Sequence, residues 1–400
     1  MSETAIYVVL YDENRHITPG DYEEKAVIAR RTVERHGGQI FSDLYVPSMR
    51  AYGYVLFGTD ITFDHLKRTN NLLCVCKDRD LPTDIIVKNR TESYALRRIS
   101  INGAKKRNFV YDTEESGQGI LVYVLDISAD KDHQELAGRL IHGPNFSHRR
   151  TPEIPVQPPH PNHSHGTMVA SLVAGSTVGV AKRAKMISVP IASRIEDQYV
   201  SLAGAAEAIY WVARDAHRRG LLSPRLRAVV TLCFEGLPLL ANDGSQPMIG
   251  NVLGECVEAA SRAGLVFVAS AGNLGLNLNI TPEAPQSVAS CITVGSINEQ
   301  DKVSSFSNFG TCVDVMAPGD QVRCAVPGGG YSYERGTSMA GALVAGIVAC
   351  ILSGGDYQNV AQVKAELLRR ARPGAYSRHE EIMRINTSLI ASLGTSTDVQ

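Results

Sequence analysis

Four polar residues, far apart in the chain, have side chains suited to acyl transfer: Asp126, His165, Asn273 and Ser338. Ser338 stands in "RGTSMAGALVAGIVACIL", where Gly-Thr-Ser-Met precedes an unbroken run of apolar and small residues. A serine hydroxyl is a weak nucleophile at its own pKa and needs a neighbouring base. His165 can serve as that base and then as the acid for the leaving group. Asp126 can fix the imidazole tautomer and stabilise the imidazolium. Asn273 can donate its side-chain amide to a developing oxyanion. A helix that begins at Ser338 would add backbone N–H groups to the same place. Singly, each residue also has an ordinary reading: Asp126 and Asn273 as turn formers, His165 as a helix-start residue, Thr337 and Ser338 as caps. Together they supply a complete kit for acyl transfer.

The elements around them predict how they are held. Met339 to Leu352 is apolar on every side, as a helix buried inside a large domain must be. It is shorter than the roughly 20 residues that cross a bilayer. From about Gln118, the runs "GILVYVLDIS", "AKMISVPIA", "LRAVVTLCF", "GLVFVASAGN" and "SCITVGSI" read as strands buried on both faces. Helical patterns lie between them, so the fold class is α/β, a doubly wound parallel sheet. Such sheets gather function at the carboxyl ends of their strands. Asp126 closes one such strand, Asn273 follows another, and His165 opens the helix "HGTMVASLVAG".

The first part of the chain has a different grammar. Its order β-α-β-β-α-β describes a small ferredoxin-like domain over residues 1–84. Residues 85–117 are expected to link it to a catalytic domain over 118–390, with a frayed tail over 391–400. The polar stretch "DRDLPTDIIVKNRTES" reads as a linker or an extended connection. Gly143 to His163 is a Pro- and His-rich loop whose histidines lack metal-ligand spacing.

Bulk properties narrow the class. A formal net charge of −1 over 400 residues gives no reason to expect nucleic acid or an anionic membrane as partner. The N-terminus has no basic n-region and only a short apolar run, so a cytoplasmic location is expected. The eight cysteines are scattered and read as reduced core thiols. No cofactor is expected.

The order Asp126, His165, Asn273, Ser338, with "HGT", "AGN" and "GTSMA", resembles the subtilisin-like serine proteases. "YDTEESGQGILVYVLDISADKDHQELAGR", "GVAKRAK", "SSFSNFG" and "DVMAPG" are similar to segments of the fungal proteinase K branch, from roughly Ala95 to Asn386. The resemblance implies a serine endopeptidase acting on peptides, and a secreted location as the alternative. It also implies that the N-terminal domain is an inhibitory propeptide and folding chaperone, a partner within the same chain. Substrate would lie along Cys233, Phe234, Glu235 and Gly236 and along Ala269, Ser270, Ala271 and Gly272.

The chain also departs from the family pattern. Asp126-Ile127-Ser128 replaces Asp-Thr/Ser-Gly, and no proline follows Met339-Ala340-Gly341. Cys291 stands where the branch has a disulfide cysteine, without the expected partner. The family often binds calcium through an Asp at the position of Asp314, but the proline that precedes the other ligand carbonyls is missing, and no metal is expected. Cys233-Phe234-Glu235-Gly236 replaces Ser-Leu-Gly-Gly, so a carboxylate enters the specificity wall. The same machinery could therefore serve peptide cyclisation, transacylation or cleavage of one small amide or ester. A silent binding protein is the third reading, opposed by the intact set of four.

Overall fold

The computed structural model describes residues 4–12, 19–35, 37–44, 51–59, 72–77, 80–82, 86–87, 93–99, 115–147, 165–192, 199–239, 249–374 and 389–393. Its largest element is a nine-stranded sheet. From edge to edge the strands are Arg372–Pro373, Leu389–Ile390, Val315–Pro318, Ile292–Ile297, Val266–Ser270, Ala228–Leu232, Leu121–Asp126, Lys185–Pro190 and Leu140–His142. All neighbours are parallel except the Arg372–Pro373 edge pair. Chain order reverses direction between Leu121–Asp126 and Ala228–Leu232, and a crevice forms at the carboxyl ends of strands where that happens.

Alternate residues of these strands enter different cores. Val122, Val124, Val229, Val266 and Val268 pack with the helices His165–Ala174 and Thr337–Gly354. Tyr123, Leu125, Val230, Phe267 and Ala269 pack with Leu202–Arg218 and Ile249–Arg262. Both faces are covered, which is why the strands read as continuous apolar runs. Thr337–Gly354 is long and apolar enough to cross a membrane by length and composition. Every residue from Thr337 to Leu352 is buried inside the protein, so here it is a core helix.

The N-terminal residues form a separate four-stranded antiparallel sheet in the order Gln39–Leu44, Ala51–Thr59, Thr4–Asp12, Leu72–Lys77. The helix Pro19–Arg35 covers one face, its Tyr22, Ala26 and Val33 packing with Tyr7, Val9, Tyr52, Tyr54 and Leu56 of the sheet. The other face sends Val8, Leu10, Leu44 and Val55 into the core formed by Leu202–Arg218 and Ile249–Arg262. The second helix read from the sequence, near 60–70, lies outside the described residues.

Of two sequence expectations, the extended connection is found in part and the frayed tail meets a different outcome. The polar connection after the N-terminal sheet contains paired strands: Asp80–Pro82 lies antiparallel to Tyr199–Ser201, and Ile86–Val87 to Glu334–Arg335. The frayed tail was expected from residue 391, yet Ala391, Ser392 and Leu393 are buried. Their backbone explains it: Ala391 N–H donates to Met316 and Leu393 N–H to Ile99.

Candidate active site

Asp126, His165, Asn273 and Ser338 are all buried near the crevice. Asp126 ends its strand, and its Oδ1 accepts from the Ile127 N–H at 2.8 Å. His165 Nδ1 lies 2.8 and 2.9 Å from the two carboxylate oxygens of Asp126. His165 can start its helix this close to the aspartate because Gly166 follows it. A Cβ on Gly166 would collide with the Ser128 carbonyl.

The helix start at Thr337 is organised by Asn273. Thr337 donates to Asn273 Oδ1 from its N–H at 2.7 Å and from its hydroxyl at 3.0 Å. The same hydroxyl accepts from the Gly272 N–H at 3.1 Å. These bonds fix the amide so that Nδ2 points away from them, and among the described residues Nδ2 has no hydrogen-bond partner. A point one bond from Gly336, where a Cβ would stand, is 3.7 Å from Asn273 Nδ2 and 3.8 Å from Ser338 N. Both nitrogens therefore lie close to Gly336, two residues before the serine. The Ser338 hydroxyl donates to the Cys233 carbonyl at 3.2 Å.

The expected substrate-binding residues divide. Glu235 Oε1 accepts from the Asn273 N–H at 3.3 Å, which sets its carboxylate beside the amide donor. The Phe234 carbonyl accepts from Ser270 Oγ and from Gln286 Nε2, both at 3.4 Å. The side chains of Phe234 and Ala269 belong to the core beneath the sheet, and that of Ala271 to a smaller cluster with Leu278 and Val313. They could meet a substrate through backbone alone, because the sheet's alternation sends their side chains inward. Cys233 is buried, and burial together with Asp126 holds its thiol well above the usual range, so it stays unreactive.

Asp314 also has its charge answered. Lys364 Nζ sits 2.8 Å from Asp314 Oδ1 and donates to the carbonyls of Ala289 and Cys291. Among the described residues no group of His, Cys, Asp or Glu could hold a metal ion. Cys233, Cys256, Cys291, Cys312, Cys324 and Cys350 take part in no disulfide.

Four residues near the site escaped the sequence reading. Thr337 was legible only as a cap. Glu334 is buried on the strand before Ser338 and feels the charge of His165. Glu283 and Gln286 reach the site through a pair of two-residue strands, Leu237–Pro238 with Glu283–Ala284. Strands that short leave no periodic signal.

The peptidase S8 family model, the subtilase family, matches residues 117–386. This chain belongs to the subtilase family. Among curated relatives, the "Subtilisin-like protease 4" of Arthroderma gypseum is 34% identical over 276 residues, 69% of this chain and 62% of that protein. Its counterpart from Trichophyton equinum is 32% identical over 67% of this chain and 61% of its own length. The chain thus spans about three-fifths of the length of these relatives. Among solved structures, a cold adapted subtilisin-like serine proteinase is 30% identical, with TM-score 0.62 over 76% of this chain and 98% of that one. The epidermin leader peptide processing serine protease of Staphylococcus aureus, in a mutant form, covers 100% of both chains with TM-score 0.73. At 17% identity it shows that the fold is shared, and nothing more.

Proposed function

We propose that this subtilase is a serine endopeptidase that works through an acyl-enzyme on Ser338. The observation that carries the reading is the contact of His165 Nδ1 with the Asp126 carboxylate, together with an Asn273 Nδ2 that has no hydrogen-bond partner among the described residues. In this reading the Ser338 hydroxyl exchanges the Cys233 carbonyl for the other ring nitrogen of His165 and attacks the peptide carbonyl carbon. His165 takes the hydroxyl proton as the C–O bond forms, and Asp126 stabilises the imidazolium. The carbonyl oxygen becomes an oxyanion between Asn273 Nδ2 and Ser338 N–H, where fixed donors need no reorganisation. His165 then gives its proton to the leaving amine as the C–N bond breaks. Water, deprotonated by His165, releases the acid.

We also infer that the N-terminal unit is an inhibitor in cis, similar to the propeptides of the fungal branch. Two pairings support this. Asp80–Pro82 adds to Tyr199–Ser201, and Ile86–Val87 adds to the residues just before Gly336-Thr337-Ser338. Strand addition of this kind is how an extended peptide binds to an exposed edge.

The test is active-site labelling. The protein, in whatever forms it takes after purification, is incubated with a fluorophosphonate and mapped by mass spectrometry. A single adduct on Ser338, absent from Ser338→Ala, is expected. Protein that never labels there would sink the acyl-enzyme reading.

A further inference from the structure

A hairpin leads into Ser338, and its tip is fastened to the loop that follows Asp126. The strands Val322–Val326 and Gly330–Arg335 pair antiparallel, and Gly336 and Thr337 join the second of them to the serine. The turn holds Gly328 and Gly329 at φ +85° and +97°, and a Cβ on either would meet nothing within 4 Å. These glycines bring the tip no packing, so its bonds must hold it.

The bonds reach one short segment. The Gly328 N–H donates to Asp130 Oδ2 at 3.1 Å, and the Tyr331 hydroxyl donates to Glu135 Oε1 at 2.7 Å. His133, 2% exposed, has Nε2 3.1 Å from the Gly330 carbonyl and its ring edge-on to Tyr331. The segment is fixed in turn to the helix that His165 opens, because the Asp130 N–H donates to Thr167 Oγ1 at 2.9 Å. One side of this clamp is thus bonded to the helix of the base, and the other leads to the nucleophile. A second tie, from the Ala325 N–H to Ser171 Oγ at 3.0 Å, contains no titratable group.

These partners fix the state of the His133 ring. Its Nδ1 is 3.1 Å from the Glu135 N–H, a group that can only donate, so Nδ1 must carry no proton. Its Nε2 faces a carbonyl, which can only accept, so Nε2 must carry one. Only the neutral ring satisfies both. An imidazolium would set one N–H against another and place a charge in a site closed to water. The charged groups around it are already engaged. Glu135 accepts from Thr177, Val178 and Tyr331, and Asp130 from Gly328 and Asp132. Lys131 pairs with Asp132, Arg139 and Lys182 donate to backbone carbonyls, and Arg323 lies over the Tyr331 ring. His142 bonds to the Ala129 carbonyl, and Glu334, farther along the hairpin, is buried toward the charge of His165.

Resting on the acyl-enzyme reading above, we propose that His133 is a positioning residue for catalysis: uncharged, it fastens the hairpin of Ser338 to the loop of Asp126, and on taking a proton it lets the hairpin tip go. Acid then acts twice, once on the base His165 and once on the clamp.

Hydrogen exchange on full-length Ser338→Ala, which needs no activity, tests the clamp. Between about pH 8 and about pH 5, protection from Gly328 to Tyr333, corrected for intrinsic exchange, should fall about tenfold or more, while that of Val229 to Leu232 holds. His133→Gln, whose amide can still donate to the Gly330 carbonyl but gains no proton, should abolish the fall. Activity gives a second reading. On the acid side, the logarithm of the rate of fluorophosphonate labelling at Ser338 should drop with a slope of about two, and in His133→Gln with a slope of about one. If His133→Gln does not fold, nitrogen NMR of the His133 ring in Ser338→Ala decides: a proton on Nε2 alone at about pH 8 supports the clamp, and a proton on Nδ1 there overturns it. Protection equal at the two pH values, a fall that His133→Gln keeps, or a slope of about one in the unaltered protein also overturns it, while labelling of Ser338 leaves the acyl-enzyme standing. Labelling that fails at every pH sinks the acyl-enzyme reading, and with it the catalytic meaning of the clamp, whatever the exchange shows.

Discussion

The nine-stranded sheet is covered on both faces by helices of its own part of the chain, whereas the four-stranded sheet covers one face and borrows the other. Tyr7, Val9, Tyr54 and Leu56 rest on the helix Pro19–Arg35. Their alternate neighbours Val8, Leu10 and Val55 share a core with Leu202–Arg218 and Ile249–Arg262. Burying one such aliphatic side chain is worth about 1.5–3 kcal/mol. The N-terminal sheet therefore needs the large one to bury its second face, and two helices of the large one expose apolar surface when it leaves. The candidate catalytic residues belong to the large sheet and its helices, and under the inhibitor proposal the restraint comes from the segments that follow the small one.

Removing the chemistry from the large sheet alone gives the largest effect. Ser338→Ala should reduce peptide hydrolysis to background and leave the N-terminal unit joined to the chain. In the unaltered protein, mass spectrometry should find a new N-terminus near Ile85 to Ser93. Adding His165→Ala should cost little more, because residues of one catalytic unit are not additive. A double variant far worse than either single one would separate the two roles.

Asn273→Ala comes next. It should lower kcat by about 10²–10³ with little change in KM, the range known for an oxyanion donor in subtilisin itself and carried over from that relative. A change in KM alone would make Asn273 a binding residue.

The shared face can be broken by Leu10→Ala, at a cost of about 2–5 kcal/mol. Hydrogen exchange should rise in the N-terminal strands and in Leu202–Arg218 together. A rise confined to the N-terminal strands would show that the two sheets do not depend on one another.

The smallest effect expected is at Glu334. Burial holds its carboxyl above the ordinary 4.5, against a lesser lowering by the Ser332 hydrogen bond and by the charge of His165. The folded protein thus binds this proton more tightly than the unfolded chain does. The resulting penalty is absent below pH 4.5 and grows as pH rises through the elevated value. Glu334→Gln should therefore stabilise by about 1 kcal/mol at pH 7 and give no gain below pH 4.5. Melting curves across that range check it, and an equal gain at every pH would point to packing instead.

The difference between the sheets also explains what could be read from sequence. Strands such as Leu121–Asp126, buried on both faces, announce themselves as apolar runs, and Asp126 is conspicuous as the charge that ends one. Ser338 is similarly marked by the apolar helix behind it. The alternation in Thr4–Asp12 reveals a strand, but Val8 and Val9 are chemically alike, so nothing says that they face different partners. Asp80–Pro82 is short and polar, and its pairing depends on an edge far along the chain. Glu283 gains its meaning from a contact with Gly236 that only the folded backbone creates.

The tether that links Asp80–Pro82 to Ile86–Val87 has a further consequence under the inhibitor proposal. While the chain is whole, the segment beside Ser338 is held there at a local concentration on the order of millimolar, independent of how dilute the protein is. Few free peptides could compete. Once a bond between the two paired segments is cut, the same contacts become an encounter between separate molecules, and inhibition fades with dilution. A single cleavage would thereby turn a restraint set by chain connectivity into one set by how much inhibitor the surroundings retain.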